Sequence, residues 1–138
     1  MDKNYDIIII GSGAAGLSAA LYAGRYRTKV LVIAKEFGGE TASAGSIENY
    51  PGVPAMDGYD LMNLMKKQAS ALGVELISSE VTAITKQEHC YEITTPNTIY
   101  QAHGIIFATG AERRRLGLPN EKELTGKGVH YCVTCDGP

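Results

Sequence analysis

Cys132 and Cys135 are separated only by Val133 and Thr134. Two intervening residues on a turn or a first helical turn bring both sulfurs within disulfide reach, so that one thiolate can attack a mixed disulfide formed by the other. Zinc is a poor alternative, because it asks for four ligands and only Cys90 and three scattered histidines could complete the set. No metal site is expected. Three cysteines in a reducing compartment do not make a structural framework, and the close pair points to redox chemistry. His130, two residues ahead of Cys132, reads as an ordinary surface histidine more readily than as a base. Asp136, directly after the pair, reads either as a proton relay or as a helix cap. Cys90 stands at an alternating position among strand-like residues and reads as a small filler.

A second set of residues is suited to holding a phosphate. Gly11-Ser12-Gly13-Ala14-Ala15-Gly16 satisfies G-x-G-x-x-G, with Ala20 four residues on as a small helix residue. The first glycine makes the turn, the second lets the backbone approach a pyrophosphate, and the third lets helix and strand pack closely. The helix N-terminus adds free N–H groups and the positive end of a dipole. The pattern alone is weak, but here it follows a strand and opens a helix. An acid at the end of the next strand would bind an adenosine ribose, and Glu36 stands 25 residues past Gly11, near the expected 20 or so. Lys35 beside it is an alternative nucleotide contact.

The elements that must position these groups follow from periodicity. Tyr5 to Ile10 is a β-branched run without alternation, as in a central parallel strand covered on both faces. Ala14, Leu17, Ala20, Leu21 and Gly24 then fall on one helical face, the helix fades at Arg25 to Thr28, and a second buried strand runs from Lys29 to Ala34. Strand, glycine turn, helix and strand make one βαβ unit with a right-handed crossover. Lys35 to Pro54 lacks clear periodicity and is expected to be a long functional loop. Asp57 can cap a helix whose stripe is Leu61, Leu64, Met65, Ala69 and Leu72, ending at Gly73. Val74 to Ile77 returns to the sheet. From Glu80 to Ala102 the period falls to two, with segments near 81–85, 90–95 and 98–102 and a turn at Pro96-Asn97, which predicts an antiparallel meander inserted before a separate buried strand over 104–108. The fold expected is α/β: a Rossmann-type parallel sheet with an antiparallel β-meander insertion.

Size and composition agree with one soluble α/β domain. The chain has 138 residues, 44% of them apolar, 16 glycines and a formal net charge of −2, which argues against disorder and against a nucleic-acid partner. Arg113-Arg114-Arg115 reads as a solvated loop. The run Ile7 to Ile10 is too short for a signal sequence and no apolar run approaches the roughly 20 residues that span a bilayer, so no membrane partner and a cytoplasmic location are expected.

Taken in order, four segments resemble the bacterial-type, low-molecular-weight thioredoxin reductases: Gly11 to Ala20, then Gly38-Gly39-Glu40 with Ile47 to Gly52, then Ala108 to Ala111, then Tyr131 to Gly137. The resemblance implies FAD, with its pyrophosphate on Gly11, Ser12, Gly13, Ala14 and Ala15, contacts from Lys35, Glu36, Gly39 and Glu40, and further contacts from Asn49, Val81, Thr109 and Gly110. It also implies that Cys135 faces the flavin, that Cys132 exchanges with the protein substrate and that Asp136 is the acid/base. Electrons would run from NADPH through FAD to the disulfide and on to a thioredoxin-like protein disulfide. Family members extend well beyond this length, with an NADPH domain after the cysteine motif and homodimers expected of full-length relatives. The same resemblance therefore implies a FAD-binding domain over 1–118, a crossover over 119–138, an NADPH site outside these residues and no independent catalysis. Glu40 departs from the usual Gln near the flavin ring, and Ala14 from a common Pro. Two other functions use the same residues: a flavin-dependent dithiol oxidase or peroxiredoxin-reducing flavoprotein, and a non-catalytic flavin-binding module.

Overall fold

The computed structural model describes residues 3–112 and 114–132. Its elements in chain order are β1 (Asn4–Ser12), α1 (Ala14–Arg25), β2 (Val30–Phe37), α2 (Gly39–Ser43), β3 (Ser46–Ile47), β4 (Met56–Asp57), α3 (Gly58–Ser70), β5 (Glu75–Ser78), β6 (Ala83–Lys86), β7 (Tyr91–Thr94), β8 (Ile99–Phe107) and α4 (Glu121–Leu124). Six strands form one mixed sheet in the order β5-β2-β1-β8-β7-β6, and β3 and β4 form a separate two-stranded ribbon.

The isoleucine run puts β1 at the centre, where both faces are covered: Ile8 and Ile9, neighbours that point to opposite faces, are both fully buried. It pairs in parallel with β2 on one side and with β8 on the other, and β2 pairs in parallel with β5. On one face Ile9, Val30 and Val32 pack with Ala20 and Ala23 of α1 and Ala69 of α3. On the other, Ile8, Ile10, Leu31 and Ile33 form a cluster with Ile93, and Val81, Ile84, Tyr91 and Tyr100 pack against it. The meander thus covers the face that the helices leave open.

Three details differ from the sequence reading. The third meander segment and the strand over 104–108 are one continuous strand, β8. Its first half pairs antiparallel with β7 (Thr94 with Ile99, Tyr91 with Ala102) and most of its length pairs in parallel with β1. Nothing between Ala102 and Gly104 breaks the ladder, and a single strand satisfies partners on both edges. Nor is its end buried: Ile106 and Phe107 are exposed. The stretch 35–54 is not a bare loop, since β2 continues to Phe37, α2 follows, and β3 pairs with β4. In α3 the buried residues are Gly58, Leu61, Met62 and Ala69, whereas Leu64, like Leu72 beyond the helix, is exposed. Asp57 caps α3 as expected, accepting the Tyr59 N–H at 2.8 Å. Cys90 is a half-buried free thiol at the turn before β7. Among the described residues no helix is long and apolar enough to cross a membrane.

Candidate functional site

The strand order reverses at β1, whose successor β2 lies on one side and β8 on the other, and in such sheets ligands bind outside the carboxyl ends of the strands at that point. A cleft of about 1210 Å³ opens there, against Ile10, Ala34 and Phe107.

The glycine turn forms the floor of this cleft. Gly11 has φ +108°, and a Cβ there would collide with the carbonyl of Ala108 at the end of β8. A Cβ on Gly16 would collide with the Gly11 carbonyl, so this glycine is required by the contact of α1 with the turn. Gly13 differs. Its φ is −71°, its Cβ would meet nothing nearer than the Gly38 carbonyl oxygen at 3.8 Å, and it lines the cleft. Nothing internal demands a glycine at 13. At the start of α1 no side chain caps the helix and no acid stands in its first turn, which leaves N–H groups and the positive dipole end for an anion.

Side chains then tie the turn to the end of β2. Ser12 is buried, and its Oγ donates to the Glu36 carbonyl at 3.2 Å and accepts the Gly38 N–H at 3.3 Å. Gly39, with φ +56°, directs its absent Cβ toward Gly13, 3.6 Å from that residue's Cα. Lys35 pairs with Glu80, two residues beyond β5, at 3.3 Å, both side chains more than half exposed to solvent. Glu36 beside it is exposed and faces the cleft.

The opposite wall comes from the segment after β8. Thr109 and Gly110 line the cleft, as do Arg115, Glu121, Lys122, Thr125 and Tyr131. Glu121 is buried, and its carboxylate accepts the N–H groups of Leu116 at 3.0 Å, Gly117 at 2.6 Å and Leu118 at 3.0 Å. Burial acts to raise its pKa, but those three donors and the Arg115 guanidinium outweigh it and hold the carboxyl below the ordinary carboxylate range. One side chain thereby clasps 116–118 against 121–125. Tyr131 stands on the same wall, and Cys132, next in the chain, is in a disulfide.

Gly11, Ser12, Gly13, Ala14, Ala15, Lys35, Glu36, Gly39, Glu40, Val81, Thr109 and Gly110 all meet in the one cleft. Asn49 does not: it lies exposed beyond β3, outside the lining. Cys135 and Asp136 lie outside the described residues. Sequence reasoning missed Arg115, Glu121, Thr125 and Tyr131. Their stretch has no period to read, and Arg115 had passed for part of a solvated loop.

A phosphate-ready turn at the switch point of a largely parallel sheet defines a Rossmann-type domain of the kind that carries dinucleotides. The sequence matches the family model for pyridine nucleotide-disulphide oxidoreductases over residues 5–138, and the chain belongs to that family. It is 49% identical over 140 residues to the thioredoxin reductase of Treponema pallidum (strain Nichols), a match that takes in 100% of this chain and 46% of that protein. The crystal structure of thioredoxin reductase from Streptococcus pyogenes MGAS5005 is similar with a TM-score of 0.85 at 39% identity, covering 99% of this chain and 45% of the other. A ferredoxin-flavin thioredoxin reductase from Clostridium acetobutylicum is similar with a TM-score of 0.74 at 35% identity, over 99% of this chain and 47% of the other. The chain spans less than half the length of these relatives.

Proposed function

We propose that the protein is a FAD-dependent disulfide reductase of the thioredoxin-reductase type, and that the cleft over Gly11 to Ala15 is its flavin site. The observation that carries this reading is a disulfide at Cys132, one residue from the wall of a cleft whose floor is a phosphate-ready glycine turn. The cleft fits the group: Gly13 leaves the backbone bare toward it, α1 offers unengaged N–H groups, and Glu36 stands where a ribose acceptor is needed. On this reading the FAD-binding domain runs to residue 118 and 119–138 begins the crossover to a nicotinamide domain.

FAD, when bound, supplies the two-electron relay between NADPH and the disulfide. The chain's own part is thiol chemistry. Two electrons and two protons open the Cys132–Cys135 disulfide to a dithiol. The Cys132 thiolate attacks a sulfur of the partner's disulfide, forming a mixed disulfide and releasing one partner thiolate. Cys135 then attacks the Cys132 sulfur, which restores the internal disulfide and frees the reduced partner. Asp136 takes the proton from each attacking thiol in turn and delivers it to the partner thiolate that departs. A thioredoxin-like protein is the partner proposed, in keeping with the names of the relatives.

The test is reduction of an oxidised thioredoxin by the full protein, with NADPH and reduced ferredoxin offered in turn as donors, since one relative is named for ferredoxin. FAD-dependent turnover that Cys132→Ser abolishes is expected. Thiol-dependent oxygen consumption without thioredoxin reduction would replace the reading with a dithiol oxidase, and bound flavin with neither activity would leave a binding module.

A further inference from the structure

Tyr131 lines the cleft, while its hydroxyl is closed to solvent and has no hydrogen-bond partner among the described residues. A buried hydroxyl without a partner opposes folding, and water cannot reach this one. Two polar side chains on the same wall are already engaged: Thr125 Oγ1 donates to the Glu121 carbonyl, and the Glu121 carboxylate accepts three amides. Tyr131 is also joined to Cys132, which is in a disulfide.

Resting on the flavin reading above, we propose that Tyr131 is a positioning residue whose hydroxyl donates to a polar atom of the flavin end of FAD after a small rotation of its side chain toward the cleft. The glycine turn and Glu36 serve the pyrophosphate and adenosine, so the flavin ring falls at the disulfide end, where Tyr131 stands. The residue then couples occupancy of the cleft to the placement of Cys132.

The prediction has a sign that a merely structural tyrosine would not show. In Tyr131→Phe the ring stays and only the orphaned hydroxyl goes. The FAD-free full protein should therefore melt at or above the wild-type temperature, while its affinity for FAD falls by about three- to tenfold, the loss of one hydrogen bond. Affinity for ADP, which carries only the adenylate end, should not change. Melting curves of the FAD-free forms and flavin-fluorescence titrations measure all three. Unchanged FAD affinity, an equal loss for ADP, or a variant that melts lower or does not fold without FAD would each overturn the proposal. Wild-type protein that binds no FAD would overturn the flavin reading along with it.

Discussion

Gly13 and Gly16 stand three residues apart in one motif and answer to different constraints. Gly16→Val drives a side chain into the Gly11 carbonyl, and overpacking of this kind costs about 1–3 kcal/mol or more. Gly13→Val brings its Cβ no nearer than 3.8 Å to the Gly38 carbonyl oxygen, on a backbone that valine adopts freely, and should change stability by less than about 1 kcal/mol. Its FAD affinity should nevertheless fall by at least about tenfold. Thermal melting beside FAD titration separates the two, and a Gly13→Val protein that binds FAD normally would count against the pyrophosphate assignment. Glu121 makes a prediction in pH. Its folded pKa is lowered, so the stability it contributes is present above its unfolded pKa and is lost as pH falls through the folded value. Glu121→Gln should melt below wild type near neutrality, and the gap should close as the pH is taken down through the carboxylate range. At this scale the glycines of the turn were legible because the geometry of the turn fixes their spacing. Glu121 and Tyr131 were not, because a carboxylate clasping three amides and a hydroxyl without a partner leave no pattern along the chain.

Among the elements, β1, α1, β2 and α3 were legible from patterns set by two-sided burial, helical period and an Asp cap. The errors fell where one residue run serves two partners. β8 answers β7 along its first half and β1 along most of its length, so it shows a period of two at one end and none at the other, and reads as two strands. Leu64 passes for core because leucine fits the helical stripe, yet α3 turns Met62 inward instead. Ile93 of β7 is fully buried against the cluster over β1 and β2. Ile93→Ala should therefore cost about 2–5 kcal/mol, far more than a truncation on a hairpin lying free of the sheet. A loss under 1 kcal/mol by denaturant titration would mean that the meander does not cover that face.

For the whole molecule, one G-x-G-x-x-G occurs in the 138 residues, and on the proposed reading FAD takes it. Holding a hydride donor against a flavin needs a second nucleotide site, and such positioning can account for about 7–11 kcal/mol of a barrier. A polypeptide of residues 1–138 alone is expected to show no sustained NADPH consumption with FAD and oxidised thioredoxin, although thiol counting before and after a chemical reductant should find Cys132 and Cys135 reducible. Sustained consumption that needs both cysteines would show the second site to be dispensable.

The pairing of β1 with β8 also bears on how the chain is made. Ile10 meets Phe107, 97 residues later, and at about 5–20 residues per second a ribosome takes roughly 5–20 s to supply the second strand. Until then the most apolar strand of the protein has one neighbour and one bare edge. The βαβ unit can assemble early, but its open flank must be shielded from other nascent chains until β8 arrives.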